Sequence, residues 1–330
     1  MERSARKAAS QAGRRRSGKG RGRRAGREGR SVCKSEPLEG QRVEERMVSV
    51  EDGVKLEVLS CGYETYDSAK PPMVLLHGSY HAAWCWEGFL QHFATLGYSA
   101  HALSLRGQGK SQVGRLTDGG AAGTLDTFCS DVAAFAQMLH RPDAVLIVHS
   151  FSGLIAQWYM QNLYSPRLFA VCFLCSVPTT GTRNVALRML LKQPLRALLV
   201  TWTFIRKSFV RSERLARLAF FSDDLEREKL QEYMGKLAKS SSVKLLDLQQ
   251  LSRQYLPLVP PREEDKPLIE TIAAANDNII DLQSARELAD VYGSELTVLD
   301  NIAHDVMLDT RWVKCAETVA SFLERSLSNS

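Results

Sequence analysis

Apolar and polar positions change period along this chain, and each change marks an element. Residues 47–60 hold two short alternating runs on either side of Asp52-Gly53, a dipeptide that tolerates the positive φ of a tight turn, so a β-hairpin is predicted. Met73-Val74-Leu75-Leu76 is a short apolar strand that stops at His77-Gly78. Residues 89–96 take helical spacing, 99–103 return to a strand pattern, and 125–139 read as an amphipathic helix that Arg141-Pro142-Asp143 ends before the apolar run 144–148. Further strands are predicted over 168–177, 268–273 and 295–299, and a last helix over 310–327. Strand and helix alternate, which predicts an α/β fold with a mostly parallel central sheet and helices on both faces. From 178 to about 261 the alternation lapses into helical stretches, and a helical insertion late in such a sheet reads as a cap. Within it, Asp223 to Glu226 has the spacing of a capping box.

One stretch imitates a membrane span. Residues 144–166 carry no formal charge over 23 positions, long enough to cross a bilayer. They also contain His149, Ser150, Ser152, Gly153, Gln157, Gln161 and Asn162, and a β-branched run followed by Ser and Gly reads better as buried strand, turn and buried helix than as a transmembrane segment. Seven scattered cysteines without a secretory signal point to a reducing compartment and no disulfides. Cys172 and Cys175 have redox-motif spacing but lie in an apolar run, which predicts small buried thiols facing alternate sides of a strand.

Charge alters the picture in two places. The chain of 330 residues has a net charge of +6, but residues 1–34 hold thirteen Lys/Arg against two acids. That segment is +11 and the remainder −5. Rich in Arg, Ser, Ala and Gly, residues 1–40 form a basic segment expected to be disordered ahead of a single α/β domain over 41–330 with its cap at about 178–261. Its composition fits a transit peptide to a chloroplast or mitochondrion. Nuclear import, RNA binding, or a misassigned start that leaves a cytoplasmic protein are the alternatives, and with the charge confined to this tail a nucleic-acid partner is not expected of the body. The second place is the cap, where nine Lys/Arg and one Glu from 183 to 221 are interleaved with Leu190, Leu191, Leu195, Leu198, Leu199, Trp202, Phe204, Ile205 and Phe209. A solvated face beside a packed one is the simple reading; peripheral membrane contact, or contact with an acyl substrate, is the functional one.

The chemistry centres on Val148-His149-Ser150-Phe151-Ser152-Gly153, where an apolar strand turns into a helix. A serine on such a turn exposes its hydroxyl above the sheet, and the next N–H points into the same space. A serine hydroxyl needs an imidazole to take its proton and a carboxylate to orient that imidazole. Of the seven histidines only His304 follows the serine with enough chain between, in the loop after the strand 295–299. Asp277, in the loop after the preceding strand, is the first choice of acid; Asp281 lies later in the same turn, and Asp305 is adjacent to the ring it would orient. His77-Gly78-Ser79-Tyr80 brings backbone close to the same space, so the N–H of Ser79, with that of Phe151, is the candidate oxyanion donor; Tyr80 is the competing register and His77 a loop brace. Trp84 and Trp86 line the pocket or pack in the core.

Five motifs now stand in order: HGSYHAAWCW at 77–86, LSLRGQGKS at 103–111, VHSFSG at 148–153, residues 276–280, and AHDVML at 303–308. Together they resemble the α/β-hydrolase superfamily over most of 47–327, and Phe220-Phe221-Ser222-Asp223-Asp224 resembles the cap of its lipase and esterase-like members. The first motif is also similar to plant methylesterases and hydroxynitrile lyases. The resemblance implies an α/β-hydrolase fold, a helical cap between strands six and seven, a triad of Ser150, Asp277 and His304, and no cofactor. It implies a serine hydrolase acting on a small-molecule carboxylic ester, and the basic, apolar cap favours a lipid-like ester such as a monoacylglycerol or lysolipid; a non-catalytic ligand receptor on the same fold is the alternative. Serine at 150 argues against a dehalogenase or epoxide hydrolase, whose nucleophile is Asp. This chain departs from the pattern at Val148 and Ser152 beside the serine, and at Glu270 and Thr271 in the strand before Asp277.

Overall fold

The computed structural model describes residues 42–64 and 66–328. The basic segment 1–40 and the targeting expectation attached to it lie outside the described residues. The hairpin forms as β1 (Glu44–Ser49) and β2 (Lys55–Cys61), antiparallel, and turns at Gly53 with φ +80. Alternation then runs β3 (Met73–Leu76), α1 (Glu87–Thr95), β4 (Ala100–Leu103), α2 (Leu125–Gln137), β5 (Val145–His149), α3 (Ser152–Gln161) and β6 (Ala170–Leu174). After the insertion come β7 (Leu268–Ala274), α9 (Leu282–Tyr292), β8 (Leu296–Leu299) and α10 (Trp312–Ser328). The eight strands are ordered β1-β2-β4-β3-β5-β6-β7-β8, and every pair from β4 to β8 is parallel.

Side-chain alternation along β5 divides the core. Val145 and Ile147 join α1 and α10 on one face, whereas Leu146 and Val148 join α2, α3 and α9 on the other. Both faces are covered, which is why this strand is a continuous apolar run rather than an alternating one. The uncharged stretch that imitated a membrane span is thus β5, a turn and α3, and no helix among the described residues is long and apolar enough to cross a membrane. The polar residues in β7 are paired: the Thr297 hydroxyl donates to Glu270 at 2.9 Å, and Thr271 shares a 2.7 Å bond with Ser294.

Between β6 and β7 lie α4 (Arg183–Lys192), α5 (Pro194–Ile205), α6 (Glu213–Ala219), α7 (Arg227–Ser240) and α8 (Leu248–Gln254). The capping box at Asp223 is not made. Helix α7 begins only at Arg227, with no side-chain cap, because Arg217 binds the carbonyls of Ser222, Asp223 and Leu225 and holds 222–225 as a turn. The cysteine reading also needs correction. Cys172 is in β6, but the strand ends at Leu174 and Cys175 takes φ +45, which returns its thiol to the same core face instead of the opposite one. The six cysteines among the described residues are buried and unpaired with one another.

Candidate active site

The loops that leave the carboxyl ends of β3, β5, β7 and β8 meet above the sheet, where an open α/β sheet forms its crevice. Ser150 follows β5 with φ +56, in the left-handed region that side-chain-bearing residues rarely occupy. Three hydrogen bonds hold it there: its N–H donates to Leu174 at 3.1 Å, and its carbonyl accepts from Gly153 and Val177, each at 3.1 Å. The departures from the usual elbow have local explanations. Val148 points into the core shared with α2 and α3, and the Ser152 hydroxyl donates to the His77 carbonyl, tying this turn to the loop after β3. The close approach that demands a glycine falls at Gly153, where a Cβ would stand 2.6 Å from that of Ser176.

His304 Nε2 lies 3.0 Å from Ser150 Oγ and its Nδ1 lies 2.7 Å from Asp277 Oδ2. With Nδ1–H donating to the carboxylate, Nε2 is left to accept the serine proton. The other oxygen of Asp277 accepts the N–H groups of Ile279 at 2.7 Å and Ile280 at 2.9 Å, so the carboxylate cannot swing away from the ring. Of the other acids considered, Asp281 caps α9 and binds Arg188, and Asp305 faces His81; neither meets the His304 Nδ1. Ser150 and His304 are buried beneath the cap. Burial alone would lower the pKa of His304, but the Asp277 charge and hydrogen bond, with the Asp305 charge behind them, raise it above 6.5.

The N–H groups of Ser79, Tyr80 and Phe151 donate to no acceptor among the described residues. Gly78 lets this loop close on the serine: a Cβ there would stand 2.8 Å from that of Ser150. Tyr80 has φ +69, and its hydroxyl donates to the Phe204 carbonyl of α5 at 3.3 Å. His77 is the brace that was expected. Its Nδ1–H donates to the Gly78 carbonyl at 2.7 Å, its Nε2 accepts the Leu105 N–H at 3.0 Å, and burial pushes its pKa down to about 3. The 103–111 motif is the frame around that brace, with Arg106 bound to both Asp131 and Asp52, and Ser104 to Glu57. Trp86 is a core residue, whereas Trp84 spans from loop to cap, stacking on His81 and donating to Ser240 at 2.7 Å. Phe220 covers the site, its ring 6.4 Å from that of His304 and its carbonyl accepting the Asp305 N–H at 3.0 Å.

Two neighbours escaped the sequence reading. His149 Nε2–H donates to the His304 carbonyl at 3.0 Å, with its ring 4.7 Å from the His304 ring, and burial holds its pKa well below 6.5. His81 Nε2 lies 2.8 Å from Asp305 Oδ2, a second buried His–carboxylate pair. The available signal was a second histidine four residues after His77 and an acid directly after His304, but nothing in their spacing joins the two. Two sets, His149–His304–Asp305 and Cys175–Asp277–His304, bring metal-ligand atoms within 4.8 Å of one another. Both include His304, whose ring nitrogens already face Ser150 and Asp277, so a metal would have to break that chain of bonds.

Comparison with known proteins bears on the fold and the family. A stretch of 118 residues is 27% identical to Methylesterase 4 of Arabidopsis thaliana, covering 35% of this chain and 43% of the length of that relative. A bacterial membrane phospholipase A superposes with a TM-score of 0.63 at 19% identity over 87% of each chain. An Acinetobacter baumannii lipase superposes with a TM-score of 0.63 at 18% identity, over 87% of this chain and 93% of that one. Epoxide hydrolase A of Mycobacterium thermoresistibile gives 0.62 at 18% identity, over 86% of this chain and 98% of that one, so the likeness is one of fold across several chemistries. Residues 73–318 match the sequence model of the alpha/beta hydrolase family, and the chain belongs to that family.

Proposed function

We propose that this chain is a serine hydrolase of carboxylic ester bonds that acts on a small-molecule ester of lipid-like character. The observation that carries the reading is the unbroken line from Asp277 through His304 to Ser150, at a strained elbow beside unpartnered backbone N–H groups. Ser150 Oγ attacks the acyl carbon as His304 Nε2 accepts its proton, and Asp277 stabilises the imidazolium. The N–H groups of Ser79 and Phe151 donate to the oxyanion of the tetrahedral intermediate. His304 then returns the proton to the leaving alcohol oxygen, an acyl group remains on Ser150, and a water deprotonated by His304 releases it as the acid. This scheme uses no cofactor. The esterase and lipase relatives support the reaction class, and serine rather than aspartate at 150 separates the chain from epoxide-opening chemistry.

The basic and apolar outer surface of the cap extends the reading to peripheral contact with a membrane that holds the ester. The basic segment 1–40 is assigned, on composition, to organelle targeting, which a fusion of those residues to a fluorescent reporter checks. Fluorophosphonate labelling tests the hydrolase itself. Wild type is expected to label at one site and Ser150→Ala not at all; absence of labelling in the folded protein, or equal labelling of Ser150→Ala, would instead favour a ligand receptor on the same fold.

A further inference from the structure

We propose that His81 and Asp305 form a second His–carboxylate couple that positions the loop after β3 against the loop of His304. The proposal rests on the hydrolase reading for its kinetic meaning and on geometry for its existence. Both side chains are fully buried and their Nε2···Oδ2 distance is 2.8 Å. The other ring nitrogen of His81 faces the Ser79 carbonyl at 3.0 Å. Both ring nitrogens of His81 thus face oxygen atoms, and the ring is held at both ends between Asp305 and the Ser79 carbonyl. The Ser79 carbonyl belongs to the peptide unit that leads into Tyr80 at φ +69, and gripping it fixes a loop that would otherwise relax. Asp305 is the residue after His304, and its backbone N–H is held by Phe220. One short bond therefore joins the candidate oxyanion donors to the candidate base, two parts of the site that lie 224 positions apart in the chain.

Asp305 also has a direction in which to act. Its Oδ1 is buried without a hydrogen-bond partner, 3.9 Å from His149 Nε2, and a carboxylate oxygen of Asp305 lies within 4.8 Å of a ring nitrogen of His304. The groups facing His304 are Asp277 and Ser150 along the hydrogen-bonded line, His149 from β5, Cys175 from the end of β6, Phe220 from the cap, and Asp305. Those facing His81 are Asp305, His149, Trp84, Phe220 and, from the same loop, His77. Apart from Asp277, Asp305 is the one carboxylate in either set, and its field favours the protonated ring of His304.

The test separates positioning from chemistry. In full-length Asp305→Asn, imidazole resonances are followed through a pH titration, with His304 assigned by loss of its signal in His304→Gln. The His304 midpoint is expected to move to lower pH, and the acidic limb of kcat/KM for a soluble ester to move with it. A fall in kcat of at least about tenfold at unchanged KM is expected, short of the roughly hundredfold or more lost when an oxyanion donor is removed. His81→Gln leaves Asp305 buried and uncompensated, so adding Asp305→Asn to it should restore thermal stability without restoring the wild-type limb. An unmoved His304 titration in Asp305→Asn, or strictly additive effects in the double variant, would overturn the couple. Wild type that titrates as expected but resists fluorophosphonate would overturn the hydrolase reading and leave the couple standing.

Discussion

Ser150 occupies a conformation that costs free energy, and its neighbours are shaped to keep it there. Gly78 is the one that closes on the serine side chain itself. A methyl group there would stand 2.8 Å from Ser150 Cβ and 3.0 Å from His149 Nδ1, so Gly78→Ala has to push the serine off its line to His304. A misplacement of about 1 Å costs on the order of a hundredfold in rate, and fluorophosphonate labelling of Gly78→Ala is expected to slow by at least tenfold while circular dichroism stays unchanged. The charge around His304 sets a second expectation. A base must be neutral to accept a proton, and with the pKa raised above 6.5 by Asp277 and Asp305 against the effect of burial, activity should fall as pH drops through a midpoint above that value. A kcat/KM profile with its acidic limb below 6.5 would contradict it. At this scale Ser150, Asp277 and His304 were legible because each follows an apolar run that announces a strand end. The His81–Asp305 pair was not, since a contact across the site leaves no local pattern.

Helix α4 shows what an element contributes once its ties are known. Arg188 forms bonds of 2.7 and 2.8 Å with Asp281, reaches Glu287 at 3.1 Å, and also donates to Ser284, fastening the cap to α9. Burial would raise the pKa of Asp281, but the bonds from Arg188 and Ser284 outweigh it and hold the carboxyl at about 2. A depressed carboxyl stabilises above its unfolded value, so this tie is complete above pH 3.8 and is lost as the pH falls toward 2. Arg188→Met should release α4 and α5 locally at neutral pH. Amide exchange across 183–205 is expected to quicken, while strands β5 to β7 keep their protection; equal loss everywhere would mean that the tie supports the whole domain. The existence and type of nearly every element followed from periodicity, because both faces of a parallel sheet must be covered. Boundaries inside the cap did not follow: the carbonyls of Ser222 and Asp223, taken by Arg217 of the preceding helix, displaced the helix start from Asp223 to Arg227.

Over the whole molecule, the net charge of +6 separates into parts of opposite sign. Residues 183–221 carry +8, whereas the rest of 35–330 carries −13. On that basic segment, α4 turns Leu187, Leu190 and Leu191 outward, and α5 does the same with Leu195, Leu198, Trp202 and Ile205. Leu195 is 83% exposed and Leu191 74%, and of seventeen exposed large apolar residues among the described residues these seven fall within nineteen positions. Helix α5 is thus apolar on the inner face, where Ala197, Val200 and Thr203 are buried, and on the outer one too. Water is a poor partner for such a surface, and a soluble monomer seldom exposes an apolar patch so concentrated. Arg183, Lys192, Arg206, Lys207, Arg211 and Arg214 interrupt or flank that run in the sequence and pair with no carboxylate among the described residues. A second copy docked face to face would set these cations against themselves, whereas an anionic bilayer meets both the charge and the leucines. A cleft of about 900 Å³ is lined by Leu199 of α5, by Arg217 and Phe221 of the cap, and by Asp277 and Ala303 of the loops after β7 and β8. The full chain is therefore expected to sediment with vesicles of phosphatidylcholine and phosphatidylglycerol, and not with phosphatidylcholine alone. Leu191→Ser with Leu195→Ser keeps every charge, including those of the basic amino-terminal segment, and removes only apolar contact. Burying one leucine is worth about 1.5–3 kcal/mol, so the double variant should bind at least tenfold more weakly at unchanged thermal stability. Equal binding by the variant would assign the attraction to charge elsewhere, and a dimer that dissociates on the same substitutions would assign the patch to a second copy.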